Sequence, residues 1–166
     1  MCKNCGCSND VEVKIEMLEG CELFKPVKAH PEDAAFDLYA VENARIEFGN
    51  CVAVSVGFRM ELPHGYCAKI LPRSGNALKK GITIGNTPGL IDENYRGVVK
   101  AIVLNVRAVN DDELFGAVEI KKGDKIAQMV IEKVLPVKLT FDKVDMNTDR
   151  GEAGFGSTGL AGNTNN

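Results

Sequence analysis

The run Val52-Ala53-Val54-Ser55-Val56-Gly57-Phe58-Arg59-Met60-Glu61-Leu62-Pro63 decides the class of fold. Apolar side chains occupy every second position from Val52 to Leu62, the period of a strand that turns one face to a core. Pro63 brings no N–H to a ladder and ends the run. Tyr66, Ala68 and Ile70 repeat the alternation as far as Pro72, so a second strand follows a short turn. Toward the N-terminus, Val11, Val13, Ile15 and Met17 alternate with charged residues, and Ala34 to Ala40 is apolar except for Asp37. Pro26 and Pro31 mark the loop between them, with His30 as a solvated residue. Toward the C-terminus, Val98 to Val106 is rich in β-branched residues and nearly continuous, as expected of a strand buried on both faces. Val118 and Ile120 mark a short strand, and Ile126–Val134 and Val137–Val144 mark two more, parted by Pro136. Only Ser74 to Gly81 reads as a helix, with Ser74 as N-cap and Gly81 as its stop. The expected fold is all-β, a jelly roll or distorted antiparallel β-barrel with one short helix.

At 166 residues the chain has room for one core. We expect a β-barrel domain over residues 11–146, between a flexible cysteine-containing N-terminus (1–10) and a flexible Gly-rich C-terminal arm (147–166). A net charge of −3 argues against stable nucleic-acid binding, although a small anion needs only a local basic pocket, for which Arg73, Lys79, Lys80 and Arg150 are candidates. No apolar run approaches the roughly 18 residues of a membrane helix. The first residues lack the apolar centre of a signal peptide, so a cytoplasmic location is expected. Of the six cysteines, Cys51 and Cys67 read as small core residues. Cys2, Cys5 and Cys7 either fray as reduced thiols or, with Cys21, hold a structural zinc.

The densest chemistry lies in Gly85-Asn86-Thr87-Pro88-Gly89-Leu90-Ile91-Asp92-Glu93-Asn94-Tyr95-Arg96-Gly97. Its turn formers bound a tight β-hairpin whose tip offers backbone N–H and C=O groups beside a carboxylate, Asp92, and a ring, Tyr95. That combination suits a base-and-sugar pocket. Asp37, a carboxylate within an apolar strand, needs a cationic partner or a place near a metal-bound ligand. The helix start at Ser74, next to Arg73, offers N–H groups and a hydroxyl to a phosphate. Past Met146, Phe155 sits between glycines and next to Ser157 and Thr158, in an arm suited to close over a ligand.

Taken in order, Ala35-Phe36-Asp37-Leu38, Pro72-Arg73-Ser74-Gly75, the stretch just quoted, Gly123-Asp124-Lys125-Ile126-Ala127-Gln128 and Arg150-Gly151-Glu152-Ala153-Gly154-Phe155-Gly156-Ser157-Thr158 resemble the five motifs of the homotrimeric deoxyuridine triphosphatases (dUTPases). That family hydrolyses dUTP to dUMP and pyrophosphate, which keeps uracil out of DNA and supplies dUMP for thymidylate synthesis. The resemblance implies jelly-roll subunits in a homotrimer whose sites each draw on all its chains. It implies Asp92 as the catalytic base on water. Asn86, Gly89, Leu90, Ile91, Tyr95 and Phe155 would meet uracil and deoxyribose. Arg73, Ser74, Gly75, Gln128, Arg150, Gly156, Ser157 and Thr158 would meet phosphates. Asp37 would lie near a Mg²⁺ held mainly by the triphosphate. A pocket too tight for thymine's methyl and without partners for cytosine's amino group would set the choice of base.

The sequence departs from the family pattern at Ala35-Phe36, where Gly-Tyr is more usual, at Ala153 in place of Gly, and at Val98 in place of an acidic residue. The longer Asn105–Glu119 segment suits a regulatory protein partner. Two further readings stand beside dUTP hydrolysis: a dCTP deaminase-like enzyme of the same fold, and a dUTP-switched protein-binding regulator.

Overall fold

In the computed structural model, residues 10–107 and 116–153 are described. Their strands are β1 (Lys14–Met17), β2 (Phe36–Tyr39), β3 (Ala44–Ile46), β4 (Cys51–Ser55), β5 (Phe58–Glu61), β6 (Tyr66–Leu71), β7 (Ile82–Ile84), β8 (Gly89–Ile91), β9 (Lys100–Asn105), β10 (Val118–Ile120) and β11 (Lys125–Lys133). The single α-helix among them, α1 (Ser74–Lys80), links β6 to β7. Every pairing between these strands is antiparallel. One sheet has the order β2-β11-β6-β8 and another the order β4-β9-β7, while β1-β5 and β3-β10 form two-stranded ribbons. Leu38, Ala68, Ile70, Ala127 and Met129 from the first sheet share one core with Val54, Ile82, Ile84, Ala101 and Val103 from the second. These sheets do not close into a barrel; the fold is an all-β jelly roll. No helix among the described residues is long and apolar enough to cross a membrane.

The alternation from Val52 to Leu62 is real, but it spans two strands. Val54, Val56, Phe58, Met60 and Leu62 are all buried. Between β4 and β5 the chain turns at Gly57, whose φ is +79° and where an added Cβ would lie 2.6 Å from Val41 Cγ1 and 2.9 Å from Cys21 Cβ. No other residue fits there, and the turn moves the chain from one sheet pairing to the next without changing which side faces the core.

Other expectations need correction. β9 is buried on one face, through Ala101, Val103 and Asn105, and only half-buried on the other, at Ile102 and Leu104. Ser74 is the first helical residue; Arg73 is the N-cap and no side chain caps the helix. Gly81 ends it in the left-handed conformation, as expected. Cys67 is buried, whereas Cys51 is exposed. β3 and a 3-10 turn at Glu22–Phe24 carry too few apolar residues to show as periodicity. The chain falls into two compact units, Met1–Leu135 and Pro136–Asn166. In the second unit Val137–Val144 forms no strand, and Val137, Leu139, Phe141 and Val144 are at least 75% exposed.

One buried polar residue closes the end of β9. Asn105 is fully buried, and its Nδ2 donates to the carbonyls of Ile46 (2.9 Å) and Gly116 (3.0 Å) while its Oδ1 accepts from the Arg107 amide (2.9 Å). It thereby ties β9 to β3 and to the chain re-entering before β10. Asn105→Ala would leave those backbone groups without partners, and urea unfolding should show a loss of about 3 kcal/mol.

Candidate active site

The four-stranded sheet brings the first, second and fourth sequence motifs together. Asp37 on β2 lies opposite Gln128 on β11, and Gln128 lies opposite Leu71 on β6. Beyond Leu71 the chain leaves through Pro72 and Arg73 into α1. The Asp37 side chain is only 12% exposed, and its two oxygens face cations: Oδ1 is 2.9 Å from Arg73 Nε and Oδ2 is 2.7 Å from Lys125 Nζ. This double pairing answers the desolvation cost that its apolar strand imposes. Asp37 in turn holds the Lys125 ammonium above its ordinary range, first by hydrogen bonding and then by charge.

Neighbouring contacts fix the frame. Asn76 of α1 is buried and donates to the Lys125 carbonyl at 2.8 Å, rooting the helix in β11. Gln128 Nε2 donates to the Pro72 carbonyl at 2.9 Å, tying β11 to the segment that carries Arg73. Ser74 and Gly75 are exposed at the helix start, and the space where a Gly75 side chain would stand is open. The result is a mouth with two cations around one carboxylate, suited to an anion. Among the described residues no cluster of His, Cys, Asp and Glu could hold a metal by itself.

The third motif lies elsewhere and is not a self-contained hairpin. The Gly85 amide still bonds to Ile102 of the β4-β9-β7 sheet (2.8 Å), whereas Gly89 pairs with Ile70 of the other sheet. The turn between them, which includes the cis Thr87–Pro88 peptide, therefore carries the chain across from one sheet to the other. The exposed Asn86 folds its amide over Gly89, where an added Cβ would come within 3.3 Å of it. Leu90 is exposed and Ile91 buried.

β8 then delivers Asp92, exposed, at the far end of β6. The Tyr95 amide donates to the Asp92 carbonyl (3.1 Å), and the Tyr95 hydroxyl donates to the Val98 carbonyl (3.2 Å). Gly97 lies under that ring: an added Cβ would fall 2.5 Å from Tyr95 Cζ and closer still to its hydroxyl. Arg96 Nη1 donates to the carbonyls of Glu93 (2.7 Å) and Tyr95 (3.0 Å), closing the turn. Ile91 pairs with Ala68, so Asp92 leaves at the opposite end of β6 from Arg73, with the Ala68–Leu71 strand, about 10 Å, between them.

Within one chain the structure therefore joins Asp37, Arg73, Ser74, Gly75 and Gln128, and separately joins Asp92 and Tyr95. Arg150 belongs to the second unit, where its Nε donates to the Ala153 carbonyl (2.9 Å). Phe155, Gly156, Ser157 and Thr158, the cysteines Cys2, Cys5 and Cys7, and residues 108–115 of the longer segment lie outside the described residues. Sequence reasoning gave no role to Lys125, Asn76 or Gly97. Lys125 and Gly97 sit inside quoted motifs, but Asn76 has no signal beyond being a polar residue in a short helix.

The Asp37–Lys125 contact has a pH signature. A raised lysine pKa stabilises the fold fully below the ordinary value of 10.5 and stops doing so as pH rises beyond it. The gap in thermal unfolding midpoint between the parent protein and Lys125→Met should be constant from neutrality to about that pH and shrink above it.

Comparison with known proteins bears on this arrangement. The dUTPase family model matches residues 23–159. The deoxyuridine 5'-triphosphate nucleotidohydrolase of Clostridium acetobutylicum is 45% identical over 150 residues, covering 90% of this chain and 98% of that protein. The corresponding protein of Hydrogenobaculum is 45% identical over 146 residues, covering 81% and 96%. Among solved structures, the dUTPase of Staphylococcus bacteriophage 80alpha with dUPNHPP has a TM-score of 0.77 at 25% identity, covering 90% and 99%. The Streptococcus mutans dUTPase has a TM-score of 0.65 at 25% identity, covering 75% and 98%. With its charged mouth and its Asp92–Tyr95 turn set on this jelly roll, the chain belongs to the dUTPase family.

Proposed function

We propose that the protein hydrolyses dUTP to dUMP and pyrophosphate by attack of water on the α-phosphate, in the cytoplasm, at sites shared between copies in a homotrimer. The observation that carries this reading is an exposed carboxylate, Asp92, and a ring, Tyr95, on one closed turn of a chain 45% identical to a dUTP nucleotidohydrolase.

Triphosphate hydrolysis asks for positioning and charge neutralisation more than covalent chemistry. Arg73, Ser74, Gly75 and Gln128 line the mouth that receives phosphates, joined by Arg150, Gly156, Ser157 and Thr158 from the C-terminal arm. Arg73 arrives already oriented by Asp37. Asn86 and the backbone of Gly89, Leu90 and Ile91 read the uracil edge, Phe155 stacks on the base, and Tyr95 faces the deoxyribose, leaving no room for a 2′-hydroxyl. Asp92 takes a proton from water as general base. The mouth fits a Mg²⁺ held mainly by the triphosphate and its waters, with Asp37, whose two oxygens already face Arg73 and Lys125, near the ion rather than as its ligand. When bound, the ion neutralises phosphate charge.

Sharing between copies is supported by the position of Asp92 and Tyr95 at the opposite end of β6 from Arg73. It is also supported by the exposed apolar run of Val137, Leu139 and Phe141, a surface suited to another copy. A second reading, a regulator switched by dUTP, is favoured by one comparison: phage 80alpha dUTPase is described as controlling transfer of virulence genes by a G protein-like mechanism. Its partner surface would be the Asn105–Glu119 segment.

The test is pyrophosphate release with Mg²⁺ from dUTP, dTTP, dCTP and UTP. We expect release chiefly from dUTP, with UTP a far slower substrate, and dUTP turnover at least about 100-fold slower in Asp92→Asn. Ammonia release from dCTP would instead make the protein a deaminase, and tight dUTP binding without turnover would favour the regulator. Gly97→Ala, by pushing the Tyr95 ring aside, should raise UTP turnover relative to dUTP. In sedimentation, Leu139→Ser with Phe141→Ser should shift the mass from three chains toward one.

A further inference from the structure

The turn that carries Asp92 and Tyr95 is held to the rest of the fold by a side chain with no part in the chemistry. Glu93 reaches back to the β5–β6 turn. Its Oε2 accepts from the Gly65 amide at 2.6 Å, and its Oε1 lies 3.0 Å from His64 Nδ1. The receiving turn is itself braced. The Tyr66 amide donates to the Pro63 carbonyl (3.2 Å), and the Val134 amide, at the end of β11, donates to the Gly65 carbonyl (2.8 Å). A load on the Asp92–Tyr95 turn is thus passed through one carboxylate to β6 and β11.

Nothing about core formation requires this contact. Glu93 is 41% exposed in its side chain and His64 is 96% exposed, so neither buries apolar surface to any extent. The remaining bonds of the turn are internal to it: Tyr95 to Asp92, Arg96 to Glu93 and Tyr95, and the Tyr95 hydroxyl to Val98. They set its shape; its bearing on the rest of the fold comes from β8 before it, from the Val99 backbone bonded to Phe58 (2.9 Å) and Val56 (3.2 Å) after it, and from Glu93, the one side chain that reaches from the turn itself to the β5–β6 turn. His64 first, and then the Gly65 amide, hold the Glu93 carboxyl below its ordinary 4.5, so the clasp is charged at neutral pH.

We infer that Glu93 is a positioning residue, which aims Asp92 and Tyr95 together by clasping the Pro63–Tyr66 turn. The inference rests on the reading above, in which Asp92 activates water and Tyr95 faces the sugar. Because both sit on the clasped turn, loosening it impairs water activation and sugar discrimination at once. Simple loss of folded protein would lower dUTP and UTP turnover in the same proportion and leave their ratio unchanged.

The experiment compares the full-length parent, Glu93→Ala, Glu93→Gln, His64→Ala and Asp92→Asn, measuring kcat and KM on dUTP and UTP and the unfolding midpoint of each. Glu93→Ala should lower kcat on dUTP about ten-fold, short of the roughly 100-fold that a full 1 Å misplacement can cost, and reduce the dUTP-to-UTP preference several-fold. Glu93→Gln, which keeps an oxygen for the Gly65 amide, should recover most of both. His64→Ala should cost less than two-fold. The inference is overturned if Asp92→Asn is inactive while Glu93→Ala keeps the parental kcat and preference. It is equally overturned if Glu93→Ala slows both substrates in equal proportion. Full dUTP turnover in Asp92→Asn would remove the base assignment itself, and this inference with it, whatever Glu93→Ala does.

Discussion

Asp37 is the hinge of the arrangement. A carboxylate on β2 that is nearly buried must be answered by positive charge, and the answer comes from two places distant in sequence: Arg73 at the head of α1 and Lys125 at the start of β11. Those contacts decide where α1 begins and how far the Pro72–Gly75 segment lies from the sheet. They also leave two cations at one mouth with only one negative charge between them. The interaction that relieves the desolvation of Asp37 therefore also creates the surplus positive charge that an anionic ligand needs. The Asn76 and Gln128 side chains, each bonded to a backbone carbonyl, finish the frame without adding charge.

The Asp92–Tyr95 turn is built on a different principle. It has little burial to draw on, since Asp92 and Tyr95 are exposed. Its order comes from short-range hydrogen bonds, from the space left by Gly97 and from the reach of Glu93 to the next turn. A site placed on such a turn is accessible to another chain and to substrate, and its precision depends on a few polar contacts.

Much of this was legible beforehand. Alternation located most of the strands because burial on one face leaves a period of two, and Val54, Val56, Phe58, Met60 and Leu62 are all in the core as their parity implied. Gly81 stopped the helix as expected. The failures have physical causes. A glycine turn at residue 57 preserves parity, so one strand could not be told from two. Val137–Val144 has a strand's pattern, but a strand also needs a neighbour to bond to, and none is supplied among the described residues of its own unit. Asn105 carried no signal of its own within the Val98–Val106 run, yet its amide closes three backbone groups in the interior.

The sequence alone determined the class of fold and the family resemblance, because these depend on residue type and short-range order: a period, a proline stop, a carboxylate three residues before a tyrosine. Tertiary structure decided the rest. Only the β2-β11-β6-β8 order puts Asp37 across from Gln128 and within reach of Arg73 and Lys125. Only the register of β8 on β6 sends Asp92 to the far end from Arg73. And only the approach of two turns 28 residues apart lets Glu93 reach the Gly65 amide. Such contacts join residues whose local sequences carry no trace of one another, so the folded chain alone reveals them.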